Sequence, residues 1–299
     1  MESFEPLLTT RDWNEEWKEL QRQRRHADRA EYWDDRAKTF GDRDVPSPYV
    51  RSFLQLADIR PGETVFDMGC GTGALAVPLG QAGHRVIAAD FSTGMLDCLK
   101  VELESRGIEG VERRLLSWDA PREDWAAAGV GPGSADVALA SRSIATYDLR
   151  ESLLRLTEVA RRRCCITLAA GASPRIDERV LAGIGVEPPN SHDYLYAFNI
   201  LANEGLKPRV DYIDSTRPQS FDSLDAAFDK LSEMVDAAGE GRLTQSEREA
   251  ALVRLREWLE DDLVENEHAG EPDRKGLPQG RLRLSEPRRF AWAFISWDK

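Results

Sequence analysis

Between positions 67 and 73 the chain reads Asp67-Met68-Gly69-Cys70-Gly71-Thr72-Gly73, and that spacing narrows the chemistry it can support. The three glycines admit backbone angles that other residues avoid and let a ligand lie against the main chain. One carboxylate, Asp67, stands two positions before the first glycine. A second, Asp90, comes seventeen positions after the last, and a third, Asp119, follows Trp118. By type, these acids can accept from an ammonium, from the paired hydroxyls of a ribose and from the amino group of a base, with Trp118 supplying aromatic surface. Gly69, Gly71 and Ala74 also satisfy the dinucleotide pattern Gly-x-Gly-x-x-Gly/Ala, so the glycines alone admit two ligand classes. The negative charge of Asp67 suits a ligand carrying an ammonium and a sulfonium better than it suits a pyrophosphate.

Such residues meet only if regular elements place them at one edge. Residues 64–67, 85–89, 111–116, 136–140 and 164–169 read as strands, and 74–82, 93–105 and 149–161 as helices, with Ser92 as an N-cap. The alternation predicts an α/β fold with a parallel sheet covered on both faces, its ligand crevice at the carboxyl edge of the strands. Upstream, 11–39 reads as one helix carrying Trp13, Trp17, Leu20, Tyr32 and Trp33, with Phe40 just beyond, and 49–57 as another. After Gly171 the alternation stops. The segment 172–206 holds His192-Asp193-Tyr194-Leu195-Tyr196, a strand follows at 209–213, then helices near 223–237 and 244–263, and a last strand at 290–297. Leu252, Leu255, Leu259 and Leu263 form a stripe that fits either a core or a homodimer face.

Bulk properties remove several function classes. The 299 residues are 41% hydrophobic and 31% charged, with a net charge of −13 that repels phosphates and argues against a nucleic-acid binder. The basic run at Arg22, Arg24, Arg25 and Arg29 reads as the solvated face of a charged helix more readily than as an anion site. No apolar run is long enough for a bilayer, and the first residues lack a signal peptide's basic start, so no membrane partner and a cytoplasmic location are expected. Cys70, Cys98, Cys164 and Cys165 show no CxxC pair or zinc spacing, so free thiols and no metal are expected.

The segment from Asp67 to Gly73 resembles motif I of the class I S-adenosylmethionine-dependent methyltransferases. Residues 87–96, with Asp90 and Met95, resemble that family's second-strand motif, Asp119 its third-strand acid, and 134–141 its fourth-strand motif. The resemblance covers 45–170 and returns at 207–214 and 288–297. It implies a doubly wound, mostly parallel sheet of seven strands, the seventh antiparallel. An N-terminal helical lid would take residues 1–44, the cofactor core 45–214 and 287–299 with a substrate-side insertion at 172–206, and a helical insertion 215–286. It also implies S-adenosylmethionine as cofactor and S-adenosylhomocysteine as product. Gly69, Cys70, Gly71 and Gly73 would line the methionine part, with Asp67 near its ammonium and Ser141 beside it. Asp90 would hold the ribose, Phe91 and Met95 would pack on the adenine, and Trp118 with Asp119 would read its amino group.

The acceptor side is less constrained. Methyl transfer from a sulfonium is an in-line displacement, so alignment matters most and a base is needed only when the acceptor must lose a proton. His192 and Tyr194 are the candidate bases, and Trp33, Phe40, Arg142 and Tyr196 the candidate acceptor contacts. The sequence Ser141-Arg142-Ser143-Ile144 departs from the Asn/Asp-Pro-Pro-Tyr tetrad of enzymes that methylate DNA bases. A small-molecule acceptor is therefore expected. The alternatives are a protein or structured RNA docked on 215–286, which holds about half the net negative charge, and an NAD-dependent oxidoreductase using the dinucleotide reading of the glycines.

Overall fold

Val65-Phe66-Asp67-Met68 is buried along its whole length, so it needs cover on both faces and lies inside a sheet. The computed structural model describes residues 7–24, 30–37, 46–171, 173–189, 192–273 and 276–299. In chain order the N-terminal helices are α1 (Leu7–Thr10), α2 (Trp13–Arg24), α3 (Ala30–Ala37) and α4 (Pro48–Ala57). The alternating region runs β1 (Val65–Met68), α5 (Ala76–Gln81), β2 (Val86–Asp90), α6 (Thr93–Arg106), β3 (Val111–Leu115), α7 (Arg122–Ala127), β4 (Ala135–Ser141), α8 (Leu149–Val159) and β5 (Ala160–Ala169). Then come α9 (Glu178–Gly183), α10 (Asp193–Asn203), β6 (Arg209–Arg217), β7 (Ser220–Phe221), α11 (Leu224–Gly239), α12 (Gln245–Asp262), β8 (Leu263–Glu265), β9 (Leu282–Leu284) and β10 (Arg288–Asp298).

The large sheet has seven strands in the order β3-β2-β1-β4-β5-β10-β6. β1 pairs in parallel with β2 and β4, β2 with β3, and β4 with β5. The order reverses at β1, which opens the crevice at the carboxyl ends of β1 and β4. The last strand of the chain inserts between β5 and β6, and the sheet is mostly parallel with one antiparallel strand, as the sequence led us to expect. β3 is one edge, and its Glu112 and Arg114 keep that edge charged, Glu112 also pairing with Arg85 at 2.8 Å.

Two compact units divide the chain. The first takes the described residues of Met1–Leu168, Asp193–Ile213 and Ala293–Lys299, the second those of Ala169–His192 and Asp214–Trp292. In the first, α2 is part of the core: Trp17 is fully buried, and its Nε1 donates to Thr146 O at 2.7 Å. Within the span 11–39 that the sequence assigned to one helix, the described helices have different partners, α2 packing on α8 and α10 and α3 on α6. Arg24 of the basic run makes a bidentate pair with Asp193 at 2.7 and 2.8 Å, whereas Arg25, His26 and Arg29 lie outside the described residues.

The second unit has its own core, in which α11 and α12 lie together. Ser223 caps α11 and Thr244 with Glu247 forms a capping box on α12. The leucine stripe is consumed here: Leu255 and Leu259 are fully buried beside Leu231 and Val235, and Leu252 and Leu263 pack on the same cluster. An unforeseen antiparallel sheet, β7-β9-β8, accompanies them. Its strands have two or three residues each, too few for a period of two to register in sequence. No helix among the described residues is long and apolar enough to cross a membrane.

Candidate functional site

The chain leaves β1 through a turn that only glycine fits. Gly69 has φ +74°, and a Cβ there would lie 2.2 Å from Ser143 Cβ; Gly73 has φ +94°, and a Cβ would lie 2.4 Å from Leu99 Cδ1. The amides of Gly69 and Cys70 both donate to Ala89 O, at 2.8 and 3.0 Å, so the turn folds over the end of β2. The turn continues to Leu75, and the helix expected from position 74 begins at Ala76 with only six residues.

Asp90 closes that turn. Its Oδ2 accepts from Gly71 N at 2.8 Å and its Oδ1 from Ser92 N at 2.9 Å. Burial pushes this carboxyl up from the usual range, and the backbone donors partly offset the shift. Asp67 is buried more deeply, and its Oδ2 has no hydrogen-bond partner. Loss of water, reinforced by the nearby Asp90, pushes the Asp67 carboxyl up to about 7. Burial, reinforced by the charges of Asp67 and Asp90, holds the Cys70 thiol well above the ordinary range.

The segment after β4 packs on the same turn. Ser143 Oγ donates to Met68 O at 2.6 Å, and Trp118 Nε1 donates to Ser143 O at 2.8 Å. Trp118 is half-buried against Trp125, with ring centroids 5.8 Å apart, while Asp119 is exposed. Met95 is buried in the first turn of α6 and Phe91 half-buried before it. The structure therefore gathers Gly69, Cys70, Gly71, Gly73, Asp90, Trp118 and Ser143 into one bonded group, with the Asp67 carboxyl close to Asp90. Ser141 belongs to a neighbouring cluster that sequence reasoning did not find, in which Tyr49 OH lies 2.7 Å from Ser141 Oγ and 2.8 Å from Thr167 Oγ1. The available signal was Thr167, a polar residue within the apolar run of β5.

α3 joins through Asp34. Its Oδ1 accepts from Ser92 Oγ at 2.6 Å and from Gly94 N at 2.9 Å, so it caps α6 from another element and its carboxyl is held below its ordinary range. Trp33 stands half-buried beside it, edge-on to Tyr32. Phe40 lies outside the described residues.

The remaining candidates have other engagements. Tyr196 donates to Glu16 Oε1 at 2.9 Å, and burial together with that carboxylate pushes its phenol up to about 12. Tyr194 OH shares a hydrogen bond of 3.0 Å with Tyr212 OH, and that contact together with loss of water raises its phenol as well. Phenols held this way are poor bases near neutral pH. His192 belongs to the second unit, where its Nδ1 lies 2.8 Å from Ala170 O; a carbonyl only accepts, so the neutral ring is protonated at Nδ1.

Residues 65–163 match the family described as Methyltransferase domain. A protein of Haemophilus influenzae, described only as uncharacterized, is 32% identical over 216 residues, covering 70% of this chain and 78% of that protein. Nocamycin O-methyltransferase of Saccharothrix syringae is 34% identical over 103 residues, a third of this chain and 34% of its own length. Among solved structures, YcgJ of Bacillus subtilis covers 84% of this chain and 97% of its own at 12% identity, with a TM-score of 0.49. With the strand order and the glycine turn already in place, the class is defined: the chain belongs to the class I S-adenosylmethionine-dependent methyltransferases. It is an enzyme of the transferase type, and its family's cofactor is S-adenosylmethionine.

Proposed function

We propose that this chain binds S-adenosylmethionine in the turn after β1 and transfers its methyl group to a small-molecule acceptor. The observation that carries the reading is Asp67 Oδ2, a buried carboxylate oxygen with no partner at the mouth of a turn whose glycines leave no room for a side chain. A buried acid without a donor is costly, and an ammonium supplies both the charge and the N–H that it lacks. The same acid would repel a pyrophosphate, which weighs against a dinucleotide.

In this reading Gly69, Cys70, Gly71 and Gly73 line the amino-acid part of the cofactor and Ser141 stands beside it. Asp90 has further lone pairs with which to accept the ribose hydroxyls while it holds Gly71. Phe91 and Met95 pack on the adenine, and Trp118 and Asp119 meet its edge. α3 with Trp33, latched by Asp34, covers this end of the crevice as the lid, and Arg142 stands on the acceptor side. The bound cofactor supplies an already activated methyl group, so the chain's task is to orient the acceptor and exclude water; no side chain is assigned as base. A small-molecule acceptor is supported by relatives that include an enzyme named for nocamycin O-methylation, and by the net charge of −13, which disfavours nucleic acid.

Calorimetric titration tests this reading. S-adenosylhomocysteine is expected to bind with one-to-one stoichiometry, NAD to give no heat, and Asp90→Ala to abolish the first signal. Binding of NAD without S-adenosylhomocysteine would overturn it.

A further inference from the structure

Arg142, the residue that follows β4, has φ +59°, and only Asp58 shares such a conformation among the described non-glycine residues. An arginine gains nothing locally from the left-handed region, where glycine and asparagine sit more easily. Outliers of this kind persist where the surroundings enforce them, and they cluster at ligand sites. Here the surroundings are a buried chain of hydroxyls. The Arg142 amide donates to Thr167 Oγ1 at 3.0 Å; Thr167 is fully buried on β5, in register with Ser141 on β4; and Tyr49 OH bridges Thr167 Oγ1 and Ser141 Oγ. The Arg142 guanidinium lies over the Tyr49 ring, 4.5 Å from its centroid. One tyrosine thus fixes the arginine twice, through its hydroxyl at the backbone and through its ring face at the side chain.

The geometry points to Arg142 as the receptor for an anionic group, a carboxylate or phosphate, on the methyl acceptor, with Tyr49 and Thr167 as its positioning residues. This deepens the reading above and rests on it. A guanidinium carries five N–H donors in a planar fork, enough to give such a group a two-point contact while its face lies on a ring. A countercharge is needed, because a chain of net charge −13 with Asp67 and Asp90 in the adjoining turn repels an incoming anion. Tyr49 itself is no base: burial raises its phenol.

The test is a titration of the S-adenosylhomocysteine complex with inorganic phosphate and with acetate, followed by the arginine Nε–H resonances. Wild type is expected to bind at least one of these anions with a shift of the Arg142 signal. Arg142→Gly should weaken that binding at least tenfold, Arg142→Lys severalfold, and Tyr49→Phe about threefold, with S-adenosylhomocysteine affinity within twofold throughout. Because glycine relieves the left-handed backbone, Arg142→Gly should melt at or above the wild-type temperature, so loss of the anion cannot be put down to misfolding. Unchanged anion binding in Arg142→Gly, or no Arg142 shift in wild type, would overturn the proposal. So would a tenfold loss of S-adenosylhomocysteine affinity with 5′-methylthioadenosine unaffected, since Arg142 would then grip the cofactor's own carboxylate. Failure of wild type to bind S-adenosylhomocysteine at all would instead strike the cofactor reading beneath it.

Discussion

Replacing Asp67 by asparagine should make the empty protein more stable and a worse binder. The carboxyl stands at about 7 in the folded chain against an ordinary 3.8. Because the folded state holds this proton to higher pH than the unfolded chain, it binds more protons between about pH 4 and 7, and stability falls as pH rises through that window. Three units correspond to a ceiling of about 4 kcal/mol above pH 7. Asparagine removes the charge but leaves a buried amide without a full set of partners, which returns about 1–2 kcal/mol. The net gain for Asp67→Asn is then about 2–3 kcal/mol at pH 8, vanishing near pH 5, and differential melting of the two proteins at both values reads it directly.

The binding side has the opposite sign. An ammonium seated on Asp67 favours the carboxylate, so binding S-adenosylhomocysteine should expel the proton: about 0.9 per site at pH 6 and about 0.1 at pH 8 if the free group titrates near 7. Calorimetry in buffers of different ionisation enthalpy counts those protons. Asp90 is also raised, so the quantity that matters is the difference between wild type and Asp67→Asn. The reasoning is refuted if the variant is no more stable at pH 8, or if it releases as many protons as wild type.

Further outcomes follow from the same geometry. Gly69→Ala should weaken S-adenosylhomocysteine binding more than tenfold and lower the melting temperature; adding Ser143→Gly removes the 2.2 Å clash but not the positive φ, so full recovery in the double variant would contradict the account. Asp34→Ala should speed exchange of the Gly94 amide about tenfold in hydrogen-exchange measurements, and an unchanged rate would show that α3 is not latched there. Trp17→Phe keeps the packing but leaves Thr146 O without its donor; denaturant titration should show a loss of about 1–3 kcal/mol. Leu255→Ala should cost about 2–5 kcal/mol, a value near zero placing the α12 stripe at an interface instead of the core.

Much of the fold was legible because burial on both faces writes itself into composition. β4 and residues 164–169 of β5 are near-continuous apolar runs, and the strands of the first half were placed to within a few residues. The glycine turn and its three acids were legible for a different reason: few side chains fit there, and the order of types is itself the signal. What escaped was set by tertiary contact. Trp13, Trp17 and Trp33 share one apolar pattern, yet α2 belongs to the core and α3 docks on α6, a division no helical period encodes. Tyr49 and Thr167 are 118 positions apart and meet only because α4 begins where β5 ends. Thr167 is a polar residue in an apolar run, but nothing in either segment says that the two meet.

Asp67 and Gly69, legible from their type and order, share a physical character with Arg142, whose conformation was not legible. Asp67 is an acid where burial disfavours charge, Gly69 a turn that tolerates no Cβ, and Arg142 a left-handed arginine. Each departs from what its segment would adopt alone, and each is held by neighbours: Ser143 on the Met68 carbonyl, Asp90 on Gly71, and Thr167 with Tyr49 on Arg142. Local departures that the surroundings enforce are where a fold gives up stability for a site. All three lie at the carboxyl ends of β1 and β4, where the strand order reverses. If that concentration reflects one ligand site, Asp67→Asn and Arg142→Gly should both raise the melting temperature, and their effects should add only in the empty protein. With S-adenosylhomocysteine bound, the gain from Asp67→Asn should shrink or reverse, because its ammonium now stabilises the charge that asparagine lacks, while the gain from Arg142→Gly should persist. A gain from Asp67→Asn that survives saturation with S-adenosylhomocysteine would mean that the buried acid serves the fold and not the cofactor.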